Sequence, residues 1–177
     1  MNGVFITGTD TGIGKTTFAK EVMRRHPDAT YWKPVQTGWP ADDDTKTVGA
    51  RRSLPGLRYA MPVSPHKAAA NEGDRITLDK IMEPVRGFEG TIVAEGAGGL
   101  LVPLAPGLLQ SDLIAALGLP VVVVAMDRLG TINHTLLTLE VLRARGLEVR
   151  GVALLGGNQN RSAIEEYGRV AIVEDAL

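Results

Sequence analysis

The sequence predicts an α/β domain built on a mostly parallel sheet, and two observations carry that prediction. Short apolar segments alternate with helix-like segments, the order that βαβ units require. The apolar segments, 3–7, 30–33, 91–95, 120–126 and 149–155, are apolar nearly throughout rather than alternating, as expected of strands covered by helices on both faces. A chain of 177 residues suits one domain, 1–177, because a domain near this size removes roughly two thirds of its unfolded surface from water.

After strand 3–7, a helix is expected from about Lys15 into Arg25, ended by His26-Pro27 because the residue before a proline avoids the helical region. Strand 30–33 leads into the stretch 34–75, which carries Pro34, Pro40, Pro55, Pro62 and Pro65. A structureless connection of that length is unusual, so a short helix near 44–52 and functional loops are expected there. Shorter helices are expected near 77–86 and 111–117, the latter between Ser111 and Gly118. The clearest helix is 131–145, where Ile132, Leu136, Leu139 and Leu142 recur at helical spacing. Thr131 is expected to cap its start, Gly146 to end it, and Arg143 and Arg145 to suit its negative end.

Composition removes several function classes. With 19 basic against 20 acidic side chains, a formal charge of -1 provides no global field for a nucleic acid or an anionic membrane. The absence of cysteine excludes disulfides, thiolate metal sites, iron-sulfur clusters and thiol nucleophiles. The longest clean apolar run, Val121 to Met126, is far short of the roughly 18 residues that suggest a membrane span. Met1 runs into Val4-Phe5-Ile6 without the basic and long apolar regions of a signal peptide. The expectation is a soluble cytoplasmic protein without nucleic-acid or membrane partners.

The strongest chemical signal is Gly8-Thr9-Asp10-Thr11-Gly12-Ile13-Gly14-Lys15-Thr16, directly after a strand and opening a helix. Backbone N–H groups of such a loop, together with the positive helix end, surround phosphate oxygens. Lys15 would reach the terminal phosphates and the Thr16 hydroxyl would ligate Mg²⁺, so the fold class narrows to a P-loop NTPase-like three-layer α/β fold. The loop is a longer variant, with five residues instead of four between Gly8 and Gly14.

A nucleoside triphosphate site needs carboxylates near its magnesium. Glu95 ends a buried strand, where ligands bind in open α/β sheets, and Gly96-Ala97-Gly98-Gly99 lets the backbone approach a ligand. The alternative is a solvated strand-end glutamate. Asp42-Asp43-Asp44 is the second acidic cluster, readable either as metal ligands or as a helix-start cluster favoured by the dipole. Asp127 also ends a strand but has no supporting motif.

Five blocks in order, Gly8-Thr9-Asp10-Thr11 with Gly14-Lys15-Thr16, Lys33-Pro34-Val35-Gln36-Thr37-Gly38, Ser64-Pro65-His66, Glu95 to Gly99 and Leu129-Gly130-Thr131-Ile132-Asn133-His134, resemble the dethiobiotin synthetase family over about residues 3–155. The resemblance implies an ATP- and Mg²⁺-dependent ligase that joins CO₂ to 7,8-diaminopelargonate and closes the ring of dethiobiotin in biotin biosynthesis. The implied path forms a carbamate on one amine, phosphorylates it to a carbamic-phosphoric anhydride, and closes by attack of the second amine. It places the nucleotide on Gly12, Ile13, Gly14, Lys15, Thr16 and Thr17, and Mg²⁺ on Thr16, Asp44 and Glu95. Lys15 and Lys33 would supply positive charge between the carbamate and the γ-phosphate, while Thr11 and Thr37 position the diamine. Gly130, Thr131 and Asn133 would bind the substrate carboxylate from a neighbouring subunit, which implies a homodimer.

Related enzymes often carry an asparagine for adenine after the strand corresponding to 149–155, where this chain has Leu154-Leu155-Gly156-Gly157. Backbone groups then read the base, or selectivity is weak and CTP or another triphosphate serves. Relatives also usually continue several tens of residues beyond the position of Leu177. His66 and His134 are expected to be structural, His26 a helix-end residue, and Trp32 and Trp39 packing residues. The rival readings are a switch ATPase, which usually has an additional lysine early in the phosphate loop, a small-molecule kinase, and a non-catalytic nucleotide-binding module.

Overall fold

A computed structural model describes residues 1–177. The chain begins with β1 (Asn2–Gly8), α1 (Lys15–Arg25), β2 (Thr30–Trp32), β3 (Val35–Thr37), α2 (Asp44–Val48), β4 (Ser53–Leu54) and β5 (Leu57–Tyr59). Next come α3 (Pro65–Asn71), α4 (Leu78–Met82) with a 3₁₀ turn Glu83–Val85, β6 (Thr91–Gly99), β7 (Pro103–Ala105) and β8 (Leu108–Leu109). The remainder is α5 (Gln110–Leu117), β9 (Val121–Met126), α6 (Thr131–Ala144), β10 (Val149–Leu155) and α7 (Arg161–Gly168).

Six strands form one sheet in the order β10-β9-β1-β6-β2-β4, and every pairing in it is parallel. All six therefore end on one rim, and the loops after β1, β2 and β6, which are neighbours, converge there. Successive strand residues face opposite sides. Val4 and Ile6 with Val93, Val122 and Val124 pack on α1 through Phe18, Val22 and Met23. Phe5, Ile92, Ala94, Val121 and Val123 face the other helices through Ile81, Leu113, Ile114, Leu139 and Ile164. Helices thus lie on both faces of a mostly parallel sheet, the P-loop NTPase-like three-layer arrangement. No helix is long and apolar enough to cross a membrane.

The five expected strands and the helix at Lys15 are present, but local boundaries differ where packing or a single residue intervenes. The helix expected over 44–52 stops at Val48, because Gly49 adopts φ 66 and turns the chain toward β4 at the sheet edge. The helix expected over 77–86 becomes Leu78–Met82 followed by the 3₁₀ turn. Helix α3 lies where prolines suggested loop, since Pro65 sits in the first turn, where its missing N–H costs nothing. Helix α7 buries only Ile164 and Gly168, too few apolar positions to leave a periodic trace.

The start of α6 needs correction. Its N-cap is Gly130 at φ 91, and Thr131 is the first helical residue, 4% exposed, with a hydroxyl that finds no hydrogen-bond partner. Thr131 therefore does not cap the helix. Arg143 donates to the Gly168 and Arg169 carbonyls at the end of α7, and Arg145 pairs with Asp112 of α5 at 2.8 Å. Both arginines tie α6 to its neighbours in addition to lying near its negative end.

Candidate active site

The loop between β1 and α1 is shaped by two glycines in the left-handed region, Gly12 at φ 71 and Gly14 at φ 94. Such angles are costly for any residue with a Cβ. No side chain caps α1, so its first N–H groups remain available to an anion, reinforced by the helix dipole. Lys15 is buried, and its Nζ donates to the Asp10 carbonyl at 3.0 Å across the loop.

This loop forms one wall of a cleft of about 790 Å³ whose other walls come from Lys33 to Thr37, Ala41 to Asp44, Pro62 to Pro65 and Glu95 to Gly98. Within it, Thr16 Oγ1 lies 3.0 Å from Asp44 Oδ1 and 2.9 Å from Glu95 Oε1, so its one proton serves either carboxylate. Lys33 Nζ is 2.6 Å from Asp44 Oδ2 and donates to Glu95 Oε1 at 2.9 Å and to the Gly96 carbonyl at 3.0 Å. All three ammonium protons are thereby used. Glu95 is fully buried, and its second oxygen, Oε2, accepts from the Tyr31 hydroxyl at 2.9 Å.

The electrostatics follow from this packing. Burial pushes the Lys15 ammonium down to about 8, Lys33 beside it acts the same way, and Glu95, Asp44 and Asp10 oppose the shift. Burial also disfavours the Lys33 charge, but Glu95 and Asp44 outweigh it and hold this lysine above its ordinary value. Tyr31 is pushed well above the usual phenol range by burial and by the Glu95 charge, so it remains a hydroxyl donor.

The acidic triplet divides its labour. Asp43 is the N-cap of α2, accepting the Lys46 N–H at 3.1 Å, while Asp44 meets Thr16 and Lys33. The helix-start reading thus holds for Asp43. Neither Lys33 nor Glu95 is solvated, as both are buried, and Glu95 does not end its strand as expected, because β6 continues through Gly99. Thr11, Thr37, Gly12, Gly14, Lys15 and Thr16 line the cleft with them. Ile13 packs in the core beneath the loop and Thr17 is exposed on α1.

Gly130, Thr131 and Asn133 are not brought into this cleft, and Asn133 is exposed on α6. Among the histidines, His66 Nδ1 lies 3.3 Å from the Pro103 carbonyl, and His26 closes α1 and pairs with Asp175 at 2.9 Å. Trp32 is buried with its indole N–H on the Pro55 carbonyl, whereas Trp39 is 40% exposed beneath the Arg58 guanidinium.

Sequence reasoning missed Tyr31 and left Asp127 without a role. Tyr31 lies two positions before Lys33, and that period-2 spacing on a strand next to β6 was the available signal. Asp127, which had no motif, accepts from the Gln159 N–H at 2.5 Å and from Asn160 Nδ2 at 2.5 Å. It holds the loop after β10, whose Leu155 contacts the phosphate loop, since a Cβ on Gly14 would lie 2.6 Å from Leu155 Cδ1.

Thr16, Asp44 and Glu95 offer a hydroxyl and two carboxylates, an all-oxygen set of the kind that holds Mg²⁺ alongside phosphate oxygens. No group of three or more His, Cys, Asp or Glu side chains gathers anywhere to form an all-protein metal cage. Fold and site together define a phosphate-loop nucleotide-binding protein with a lysine-carboxylate cluster beside the phosphate cradle.

Comparison with known proteins narrows that class. The family model described as AAA domain matches residues 2–174. The chain is 43% identical to the ATP-dependent dethiobiotin synthetase BioD of Paramagnetospirillum magneticum, over 99% of this chain and 87% of that protein. It is 46% identical to the biotin biosynthesis bifunctional protein BioCD of Bordetella avium, over 97% of this chain and 38% of that longer protein. A ParA family ATPase from Chlorobium tepidum shares the fold, with TM-score 0.61 at 13% identity over 97% of this chain and 83% of the other. The chain belongs to the ATP-dependent dethiobiotin synthetase family.

Proposed function

We propose that residues 1–177 act as one ligase domain that makes dethiobiotin from 7,8-diaminopelargonate, CO₂ and ATP in biotin biosynthesis, in the cytoplasm. The observation that carries the reading is the meeting of Lys33, Asp44 and Glu95 beside the phosphate loop, in a chain 43% identical to a dethiobiotin synthetase.

The chemistry begins with a free amine of the substrate attacking CO₂ and losing a proton to give a carbamate. A carbamate oxygen attacks the γ-phosphorus, the bond to ADP breaks, and the second amine then attacks the carbonyl carbon and expels phosphate. Two anions must meet in the middle step, so buried positive charge between them is the main requirement. Lys15 reaches the phosphates from the loop, while Lys33 exchanges its carboxylate contacts for the carbamate and transferring phosphoryl oxygens. Thr11 and Thr37, which both line the cleft, orient the diamine. Thr16, Asp44 and Glu95 hold Mg²⁺, which supplies charge neutralisation at the phosphates when bound.

The carboxylate oxygens of Asp44 and of the buried Glu95 would be balanced by the metal once Lys33 leaves them. Gly130, Thr131 and Asn133, outside the cleft of their own chain, serve the site of a neighbouring subunit in a homodimer. The start of α6, whose first turn no side chain caps, supports an anion contact there.

The test is ADP release with ATP and Mg²⁺, adding diaminopelargonate and bicarbonate separately and together, and repeating with CTP. Release that requires both additions is expected; release indifferent to both would favour a switch ATPase. Glu95→Gln should weaken the Mg²⁺ dependence, and an unaltered magnesium titration would reject this ligand.

A further inference from the structure

The cluster at the cleft contains one group to which the reaction assigns no task. Tyr31 is fully buried in the middle of β2, under α1, yet its hydroxyl is not spent on a backbone group. It donates to Glu95 Oε2 at 2.9 Å, and Glu95 is the one carboxylate of the site with no exposure at all.

The parallel register explains how this happens. Tyr31 is paired with Val93 across β2 and β6, and alternation puts Glu95 on the same side of the sheet as Val93. A tyrosine is long enough to reach two residues along the neighbouring strand, where a phenylalanine would bring the same ring and no donor. Both Glu95 oxygens then have distinct surroundings. Oε2 faces Tyr31 in the core, and Oε1 faces Thr16 and Lys33 in the cleft.

We infer that Tyr31 is a positioning residue for the metal: its hydroxyl fixes the rotation of the Glu95 carboxylate so that Oε1 is presented to a divalent cation at Thr16 and Asp44. The terminal torsion of a glutamate is broad and has no preferred setting of its own. Without the phenol, Oε2 has no donor in a place that water does not reach, and the carboxylate turns toward the remaining cations instead of the metal. Hydrogen-bond partners of metal-binding carboxylates typically change metal affinity 10- to 100-fold, about the effect expected here. The inference rests on the metal assignment proposed above.

The test measures binding and does not depend on turnover. Mn²⁺ affinity is determined by calorimetry in the presence of the non-hydrolysable β,γ-methylene analogue of ATP, for the unaltered protein, Tyr31→Phe and Trp32→Phe. Tyr31→Phe should weaken Mn²⁺ by about tenfold or more, with metal-free affinity for the nucleotide analogue unchanged. Trp32→Phe removes the adjacent buried donor, which serves the Pro55 carbonyl and not Glu95, and should leave the Mn²⁺ affinity as it was. An unchanged Mn²⁺ affinity in Tyr31→Phe overturns the inference while leaving the metal site intact. If the unaltered protein holds no Mn²⁺ beside the nucleotide, the metal assignment falls and the inference with it.

Should Tyr31→Phe not fold, 3-fluorotyrosine replaces the variant. The chain has three tyrosines, so the Tyr31 fluorine resonance is identified by single substitution of Tyr59 and Tyr167. It should shift on adding Mg²⁺ with the nucleotide analogue, beyond its shift with the analogue alone. A resonance indifferent to the metal overturns the inference.

Discussion

Replacing Lys33 by alanine should destabilise the protein and, at the same time, turn Mg²⁺ from a weak into a strong stabiliser. The side chain is 6% exposed and its three protons go to Asp44, Glu95 and the Gly96 carbonyl. Removing it leaves two carboxylates facing each other with one threonine hydroxyl between them. Breaking a buried ion pair by deleting one partner costs about 3–5 kcal/mol, and Asp44, whose side chain is 24% exposed, brings the expectation to the lower end. For a chain of this size each kcal/mol lowers the midpoint by about 2–4 °C, so a fall of roughly 6–12 °C is expected. A divalent cation can then take the place of the ammonium. At a hundredfold excess over its Kd it contributes about 2.7 kcal/mol, which restores most of the loss. In the unaltered protein Lys33 competes for the same oxygens, so Mg²⁺ without nucleotide should stabilise it much less. The assay is differential scanning calorimetry at neutral pH with and without excess Mg²⁺. A midpoint near that of the unaltered protein, or an equal response of both proteins to Mg²⁺, would refute the view of Lys33 as an internal counter-ion. Turnover in the variant should fall about 10²- to 10³-fold with nucleotide affinity retained, as for loss of one oriented charge at a transition state.

Three further outcomes follow from neighbouring contacts. Lys15, held down to about 8, carries its phosphate-binding charge below that pH and loses it as the pH rises through it, so affinity for ATP should weaken from pH 8 upward and binding near pH 8.5 should take up a proton; calorimetry in buffers of different ionisation enthalpy reads this directly. Gly14→Ala forces a Cβ onto a backbone at φ 94 and toward Leu155, a strain of about 1–2 kcal/mol, and nucleotide affinity measured by fluorescence titration should drop about tenfold; an unaltered affinity would mean the loop conformation is not the binding one. Asp127→Ala removes the acceptor for the Gln159 and Asn160 N–H groups, so amide exchange at these two residues should accelerate and stability should fall by about 1–2 kcal/mol, while unchanged exchange would show that the loop is held by other contacts.

Much of this molecule was legible in the sequence because the signals were local. A strand that runs into glycines and then Gly-Lys-Thr dictates its own backbone, and Gly12 and Gly14 adopt the left-handed angles that only glycine takes cheaply. Buried parallel strands announce themselves by unbroken apolar runs, which is why β1, β6, β9 and β10 were readable within a few residues. Lys33 was legible as a charge after a strand and Glu95 as a charge on one, but β6 continues through Gly99, so Glu95 lies within the strand, and the fold gave both residues burial and each other.

What tertiary structure decided is which side chains meet. Thr16 contacts Asp44 across 28 residues and Glu95 across 79, separations at which no sequence pattern specifies a direction. Asp42, Asp43 and Asp44 are chemically equal in the sequence; the start of α2 assigned Asp43 to the helix end and set Asp44 against Thr16 and Lys33. Thr131 was a plausible cap by residue type, but Gly130 took that position and left the hydroxyl buried and free. Tyr31 and Asp127 carry no motif at all, because each acts on an atom brought beside it by strand register or by loop closure. Local propensity fixes backbone geometry over a few residues, whereas a site assembled from β1, β2, α2 and β6 exists only once the parallel sheet has set those segments side by side.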